Sequence, residues 1–342
     1  MSGGTVAQLP EGLLDGGAWF RVEAAANASA ARRAAERLAE QLGLPGNRIA
    51  DLSIVTAEAA SNLVKHADQG ILLVRTVRTE LQAGVEIIAM DQGPGMADLE
   101  RAIGDGHSTA GTLGIGLGSI VRQASWSDLH SVPGKGTMLV AQVWPADPPP
   151  PVWAAGLTRP LAGESISGDA YAVREADGRY QVLMCDGLGH GGLAAAASHE
   201  AVRAFFDAPP VPPAAVVEAL HRKLNHTRGA ALAVAELDPK AGLVRYAGLG
   251  NISGTVISPG SRRGMISLPG IAGHQRRQIR EYDYPIGPDA FVLMHSDGVV
   301  DRWNLADYPG LQFRSNTVIA ATVLRDAGTR RDDAGVVVAR LP

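Results

Sequence analysis

Hydrophobic residues in the first part of the chain follow first a helical and then a strand-like spacing. Between 47 and 67 the apolar residues are three or four positions apart, which predicts an amphipathic helix: Ile49, Leu52, Val55, Ala59 and Leu63. A helix is also predicted over 26–45, where Asn27 offers an N-cap and Gly-Leu-Pro ends the pattern. Apolar runs at 71–78, 84–91 and 136–144 predict strands. The first part is therefore predicted to be an α/β domain.

In the second part of the chain, the predicted apolar strands begin or end at aspartates. One strand is predicted to begin at Asp169 and the next to end at Asp186, with a short turn between them. Such a hairpin would place these two aspartates at the same end of a sheet. Two helices are predicted after it, and a later apolar strand ends at Asp297. A last strand follows Asp332 and Asp333, so this part is also predicted to be α/β (α+β).

A proline-rich stretch separates the two parts. Five of the ten residues between 144 and 153 are proline, which neither continues a helix nor donates to a sheet ladder. Such a stretch is typical of a short, semi-rigid spacer. We therefore expect two domains, at 1–146 and 154–342, joined by a linker at 147–153.

Composition excludes several classes of function. The formal net charge is −4 and no basic run is present, so neither nucleic acid nor a membrane is an expected partner. Cys185 is the only cysteine, which excludes an intrachain disulfide and a cysteine-based metal cluster. The first residues lack a basic stretch followed by a long apolar one, and no run of about 18 apolar residues occurs. We therefore expect a soluble cytoplasmic protein.

Three features of the first part suit a bound nucleotide. Glu58 and Asn62 are four residues apart on the predicted helix, so they share a face. The strand at 84–91 ends at Asp91, and the glycines of the following turn allow close approach of the backbone. The glycines between 105 and 118 lead into a helix, whose free N-terminal N–H groups form a natural anion site.

These residues resemble four motifs of the GHKL ATPase superfamily, in the order in which the superfamily has them. The matched positions are Glu58 and Asn62 in the N box, Asp91, Gly93 and Gly95 in the first glycine box, Gly114, Gly116 and Gly118 in the second, and Gly134, Gly136 and Thr137 in the last motif. The short glycine-rich stretch is most similar to the ATP lid of RsbT-type serine kinases, which are related to the SpoIIAB type. The resemblance implies a Bergerat-type α/β sandwich.

The resemblance also implies roles for the matched positions. Asp91 would accept the adenine amino group, and Asn62 would help to hold Mg²⁺ at the phosphates of ATP. Glu58 would be the base, or positioning carboxylate, for the attacking hydroxyl of a protein serine. The glycines at 114–118 would wrap the phosphate chain with backbone N–H groups. The remaining members of the ATP-binding set are Gly93, Gly95 and Thr137.

The aspartates of the second part require a counter-charge. Four separated carboxylate positions at strand ends would raise one another's pKa and cost free energy on desolvation. Divalent cations with oxygen ligands remove this cost, which favours Mg²⁺ or Mn²⁺. Two such ions can generate a nucleophilic hydroxide and clamp a phosphoryl group.

These carboxylates resemble the motifs of metal-dependent type 2C protein phosphatases, in particular the bacterial branch with SpoIIE, RsbU and RsbX. The matches are Gly168 and Asp169, the run at 186–191, Ser296 to Gly298, and Asp332 with Asp333. The resemblance implies a compact α-β-β-α sandwich with two Mn²⁺ or Mg²⁺ ions. The implied metal site consists of Asp169, Asp186, the Gly187 carbonyl, Asp297 and Asp332, with Asp186 bridging both ions and taking the catalytic role. Asp333 would contact the groups around the metal ligands without binding an ion itself.

Two opposed phosphate chemistries in one chain suggest related substrates. The resemblance implies a bifunctional partner-switching regulator, whose first domain uses Mg-ATP to phosphorylate a serine or threonine of a STAS-domain protein. The second domain would remove that phosphate. A sigma factor or stressosome components are further candidate partners, and a homodimer is compatible with the RsbT and SpoIIAB resemblance.

Two alternatives remain open from the sequence. In the first, the protein is only a phosphatase, and the ATP-binding domain is a nucleotide sensor or partner-binding module. In the second, the first domain sequesters a sigma factor. The presence of both Glu58 and Asn62 argues against an inactive kinase, and the short lid argues against sequestration. No role is predicted for residues 258–287.

Overall fold

The computed structural model describes residues 17–104, 116–276 and 278–342, and these form two compact units. The first unit contains Gly17–Pro151 and Asn304–Arg325, whereas the second contains Val152–Trp303 and Asp326–Pro342. The domain boundaries at 146 and 154 stay predictions. The compact units differ from the linear division at one place, because residues 304–325 group with the N-terminal part of the chain.

The first unit is built on one antiparallel sheet. Its elements are β1 (Ala18–Arg21), α1 (Ala25–Gln41), α2 (Gly46–His66), β2 (Ile71–Arg78), β3 (Ala83–Met90), α3 (Leu99–Ile103), α4 (Gly116–Gln123), β4 (Trp126–Ser131) and β5 (Thr137–Val143). The strand order is β1-β2-β3-β5-β4, and every neighbouring pair is antiparallel. The helix and strands predicted from apolar spacing at 47–67, 71–78 and 84–91 correspond to α2, β2 and β3.

Helices α1 and α2 cover one face of this sheet. Alanines at four-residue spacing on α1 give a flat buried stripe, and larger apolar residues on α2 fill the space toward the strands. The buried residues that form this core include Ala31, Ala35, Ala39, Leu52, Val55, Leu63, Ile87 and Ala141. Within the described ranges, no helix is both long enough and apolar enough to cross a bilayer.

The second unit contains two sheets. Its elements are β6 (Ala154–Arg159), β7 (Asp169–Ala176), β8 (Arg179–Gly187), α5 (Gly192–Asp207), α6 (Pro213–Lys223), β9 (Ala230–Asp238), β10 (Leu243–Leu249), β11 (Ser253–Ser258), β12 (Ser261–Met265), β13 (Ser267–Leu268), β14 (Tyr282–Pro285), β15 (Phe291–His295) and β16 (Ala334–Arg340). One sheet has the order β13-β10-β9-β8-β7 with β14 beside β10, and the other has the order β12-β11-β15-β16-β6. Helix α7 (Asn316–Ala327) lies between β15 and β16 in the sequence.

The two sheets pack face to face, and helices cover the outer face of the first. Val182 and Met184 of β8 lie in one apolar cluster with Val292 and Met294 of β15. On the opposite face of β8, Leu183 packs in a cluster with residues of α5 and α6. Alternate residues of β8 therefore serve two cores, as the two-residue period of a strand requires. The fold class, a mixed α/β chain with two domains, agrees with the prediction.

Candidate functional sites

Helix α2 places Glu58 and Asn62 side by side at the edge of its buried face, where both are half-buried. Leu52, Val55 and Leu63 point into the core, and the polar pair lies on the adjacent face of the helix. This face meets the beginning of α4. A Cβ built on Gly116, its first residue, would lie 3.2 Å from Asn62 Oδ1 and 3.3 Å from Glu58 Oε2. The carboxylate and the amide therefore face a helix N-terminus across a space that a side chain at position 116 would occupy.

Asp91 follows the last residue of β3 and lies in a tightly bonded turn. Its backbone N–H donates to the Thr137 carbonyl at 3.1 Å, and its Oδ1 accepts the Gly93 N–H at 2.7 Å. Burial raises the pKa of Asp91 above its ordinary value, while the Gly93 N–H and the Arg325 guanidinium act in the opposite direction. Thr137 contributes its backbone to this turn, and its hydroxyl lies 3.0 Å from Ser131 Oγ.

Glycines make this close packing possible. Gly136 has φ +74°, and a Cβ there would overlap the Asp91 carbonyl. Gly95 has φ +65°, and a Cβ there would overlap the Val132 carbonyl. The first glycine box and the last motif, far apart in sequence, thus interlock around Asp91.

The other predicted glycines have different surroundings. A Cβ on Gly93 would lie 2.9 Å from Asp91 Oδ1, so that position is also crowded. Gly118 is buried within α4. Gly114 lies outside the described residues, so its expected place at the phosphates stays a prediction.

The hairpin of β7 and β8 brings Asp169 and Asp186 together. The two residues are directly paired in the strand register, which confirms the predicted hairpin. Asp169 is 3% exposed, and its Oδ2 accepts the Ser296 hydroxyl at 2.6 Å. Its other oxygen, Oδ1, is buried and has no hydrogen-bond partner within the described residues. An unpaired buried carboxylate oxygen is costly, which points to a cation at this position.

Three further aspartates lie near this pair, on the segments before and after the last strands. Asp297 Oδ2 accepts the Asn251 side-chain N–H at 2.7 Å. Asp332 Oδ1 accepts the backbone N–H of Asp333 at 2.9 Å. The Asp333 carboxylate is buried and accepts backbone N–H groups of Leu161 and Gly168 at 2.8 and 2.9 Å, so both of its oxygens tie loops together.

Mutual repulsion and burial shape the electrostatics of this cluster. Burial, followed by the charges of Asp297, Asp332 and Asp333, raises the pKa of Asp186 to about 7. Burial and then the charge of Asp186 raise the pKa of Asp169 well above its ordinary value. The pKa of Asp297 is also raised, by desolvation first and then by Asp332. All three shifts have the sign expected of carboxylates gathered for a cation.

The donor set fits hydrated divalent cations better than a closed protein cage. Within the described ranges, no three acidic, histidine or cysteine side chains converge into a complete metal-binding group. Mg²⁺ normally keeps several waters and takes only one or two carboxylates. Gly187, whose carbonyl was predicted as a ligand, packs against the start of α5, where a Cβ would overlap the Ala194 carbonyl.

Three side chains near the two sites were given no role from sequence. Ser296 lies in the Ser-Asp-Gly motif, so the sequence could have indicated it. Its hydroxyl donates to Asp169 and accepts the Gly335 N–H. Asn251, which contacts Asp297, lies in a turn after β10 with no motif around it. Arg325, which donates to the Asp91 carbonyl, comes from more than 200 residues away in the sequence.

Comparison with known proteins finds relatives for each part of the chain. The family model "Histidine kinase-like ATPase domain" matches residues 20–143. RsbT of Bacillus subtilis strain 168, a serine/threonine-protein kinase, is 36% identical over 115 residues, which are 34% of this chain and 86% of that protein. The chain belongs to the histidine kinase-like ATPase family. An anti-sigma F factor of Caldanaerobacter subterraneus subsp. tengcongensis is 32% identical over 119 residues, covering 33% of this chain and 82% of that protein.

The second part of this ATPase-family chain has relatives of a different kind. The family model "Stage II sporulation protein E (SpoIIE)" matches residues 176–342. A solved structure from work on the bacterial stressosome as a modular system for control of secondary messenger signalling is 29% identical, with a TM-score of 0.51. It covers 55% of this chain and 98% of the solved chain. The chain thus combines an RsbT-like kinase domain with a SpoIIE-type, type 2C phosphatase domain.

Proposed function

We propose that this protein is a bifunctional regulator that phosphorylates and dephosphorylates a STAS-domain protein. The ATP-binding unit is a serine/threonine kinase, and the second unit is a divalent-cation-dependent phosphoserine/phosphothreonine phosphatase. Its partner is of the anti-anti-sigma or stressosome type. The observation that carries the proposal is that each unit has a separate acidic site of its own, Glu58 with Asn62 in one and Asp169 with Asp186 in the other.

In the kinase reaction, Glu58 accepts the proton of the substrate hydroxyl while ATP supplies the phosphoryl group. Asn62, one turn further along α2, holds Mg²⁺ at the phosphates. Asp91 accepts a hydrogen bond from the adenine amino group, and Gly116 and Gly118 at the start of α4 allow backbone N–H groups to approach the phosphates. The cradle at Gly116 supports this assignment, because it is bordered by both polar side chains of α2.

In the phosphatase reaction, two Mn²⁺ or Mg²⁺ ions would be held by Asp169, Asp186, Asp297 and Asp332, with the Gly187 carbonyl as a further ligand. When bound, the ions supply a nucleophilic water at neutral pH and neutralise the charge of the phosphate. Asp186 is paired with Asp169 in the strand register and is repelled by the charges of Asp297 and Asp332, so it would be the central carboxylate of the site. Ser296 keeps the Asp169 carboxylate in place through its 2.6 Å hydrogen bond.

Phosphoryl transfer to a purified STAS partner tests the proposal. The wild-type protein is incubated with γ-labelled ATP and a purified STAS-domain protein of the anti-anti-sigma or stressosome type. We expect label on the STAS protein, no label with Glu58→Gln, and longer-lived label with Asp186→Asn. Glu80→Gln and Asp289→Asn, which change exposed carboxylates, serve as matched controls.

The result also separates the two activities. If neither the wild type nor Asp186→Asn transfers label, while the wild type still removes phosphate from a phosphorylated STAS protein, the kinase assignment is wrong. The protein is then a phosphatase with a nucleotide-sensing domain. If Asp186→Asn removes phosphate as fast as the wild type, the metal-site assignment is wrong.

A further inference from the structure

The 304–325 segment comes from the C-terminal half of the sequence but belongs to the ATP-binding unit. It contacts β4, the edge strand of that unit's sheet. Asp128 of β4 accepts the backbone N–H of Ser315 at 2.7 Å and lies 3.4 Å from the Arg314 guanidinium. His130 of the same strand bonds the Pro309 carbonyl at 3.0 Å. These contacts fix the backbone of the segment at two separate points.

Further contacts continue along the hairpin between β4 and β5. The Lys135 ammonium lies 4.6 Å from the centre of the Tyr308 ring, within cation–π distance. Lys135 is flanked by Gly134 and Gly136, the glycines of the last ATP-site motif. The 304–325 segment therefore reaches the turn that surrounds Asp91.

Arg325, in the last turn of α7, completes these contacts. Its Nη1 donates to the Asp91 carbonyl at 2.7 Å and lies 3.5 Å from the Thr137 carbonyl. The Asp91 N–H donates to the same Thr137 carbonyl. One guanidinium thus joins the end of β3 to the start of β5, at the residue whose side chain is assigned to adenine.

We propose that Arg325 is a positioning residue for base recognition, which holds the Asp91 peptide so that the Asp91 carboxylate can accept the adenine amino group. This inference rests on the proposed function only in assigning adenine to Asp91. The carboxylate has one fixed oxygen through Gly93, and its main chain is fixed by Thr137 and Arg325. Without Arg325 the turn keeps its bonds to Thr137 and Gly93 but loses the bond to the Asp91 carbonyl, so the carboxylate loses part of its fixed direction.

Loss of the Arg325 charge alone would affect nucleotide binding differently from misplacement of the Asp91 carboxylate. Arg325 is a cation near the nucleotide site, so its removal weakens the attraction for the phosphates of any nucleotide equally. Misplacement of Asp91 affects only a base that donates a hydrogen bond at that position. Adenine donates there through its amino group, whereas guanine presents a carbonyl oxygen. Discrimination between the two bases is therefore the diagnostic quantity.

The test is calorimetric titration of the full-length protein with ADP and with GDP, each with Mg²⁺. We expect Arg325→Ala to raise the dissociation constant for ADP about tenfold, or about 1.4 kcal/mol, and the constant for GDP less than threefold. Arg325→Lys should restore part of the preference for ADP. Arg78→Ala, which removes an exposed arginine of β2, is the matched control and should behave as the wild type. Asp128→Ala, which loosens the 304–325 segment without touching Asp91, should lower the preference for ADP to a smaller extent.

The inference is overturned if Arg325→Ala binds ADP as tightly as the wild type, or if it loses ADP and GDP by the same factor. The first result would show that Arg325 does not position Asp91, and the second that it acts only through its charge or through folding. Wild-type protein that binds ADP but transfers no phosphoryl group would contradict the kinase proposal and leave this inference standing. Wild-type protein that binds neither nucleotide would overturn both.

Discussion

Replacing Asp186 by asparagine should stabilise the metal-free protein at neutral and alkaline pH. The pKa of Asp186 in the folded chain is about 7, raised by burial and by the charges of three other aspartates. An aspartate in an unfolded chain has a pKa of about 3.9. The difference is about three units, and each unit is about 1.4 kcal/mol, so ionised Asp186 costs the folded state on the order of 4 kcal/mol.

The pH dependence follows from which state binds the proton. Between about pH 4 and pH 7 the unfolded chain has lost the Asp186 proton while the folded chain retains it, so folding takes up a proton. The stability of the metal-free protein therefore falls as the pH rises through this window and is lowest above pH 7. Asp186→Asn removes this contribution, so its advantage over the wild type should be largest near pH 8 and nearly absent near pH 4.

Divalent cations should offset more than half of this difference in stability. A ligand present at 100 times its dissociation constant stabilises the folded state by about 2.7 kcal/mol, and Asp186→Asn should gain far less than the wild type from Mn²⁺. Hydrogen exchange of the β7, β8 and β9 amides reports the second unit separately from the first. It should be measured at pH 5 and pH 8, with EDTA or with Mn²⁺, for the wild type, Asp186→Asn and the control Asp289→Asn. Faster exchange of Asp186→Asn than of wild type at pH 8 in EDTA would refute the reasoning, as would equal protection of both by Mn²⁺.

Three other predictions follow from particular contacts. Gly136→Ala should lower the melting temperature of the first unit and abolish ADP binding, because Gly136 has a positive φ and a Cβ there would overlap the Asp91 carbonyl. Calorimetry measures both quantities, and an unchanged ADP affinity would contradict the predicted overlap. Ser296→Ala should lower the free energy of unfolding by about 2 kcal/mol in EDTA, because the Asp169 carboxylate and the Gly335 N–H both lose their partner. In the same denaturation assay, the control Ser253→Ala should have little effect. ADP should change the Mn²⁺ affinity of the wild type, and Mn²⁺ should change its ADP affinity by the same factor. Each dissociation constant is measured by titration with and without the other ligand, and two unchanged constants would show that the sites are independent.

Local patterns were sufficient for much of the fold and for two pairs of neighbouring side chains, Asp169 with Asp186 and Glu58 with Asn62. The Asp169–Asp186 pair could be predicted because a two-residue turn between two apolar runs fixes the register of a hairpin. Glu58 and Asn62 could be predicted as neighbours because a helix repeats every 3.6 residues. Both predictions depend on contacts between residues close in sequence, where geometry leaves little choice.

The contacts that sequence reasoning missed join residues far apart in the chain. Asn251 reaches Asp297 across 46 positions, and Arg325 reaches Asp91 across 234. No periodicity connects such residues, and an arginine in the last turn of a helix is already explained by the helix dipole. Likewise, α7 follows an apolar pattern that fits any buried helix, so nothing in it indicated that residues 304–325 would group with the N-terminal part.

The polypeptide passes from the second unit into the ATP-binding unit at residue 304 and returns to the second unit at residue 326. Arg325, the last residue of the 304–325 segment, bonds the Asp91 carbonyl. Just beyond Arg325, the Ala327 carbonyl accepts the Val300 N–H at 2.9 Å, and the Thr329 N–H donates to the Gly298 carbonyl at 2.7 Å. Gly298 directly follows Asp297, so the two backbone bonds fasten the end of α7 to the segment that carries this metal-site aspartate. Two opposed activities in one protein waste ATP unless one is reduced while the other works. Coupling between the nucleotide and metal-ion sites would limit this waste, and the equality of the two affinity changes is what distinguishes such coupling from independent sites.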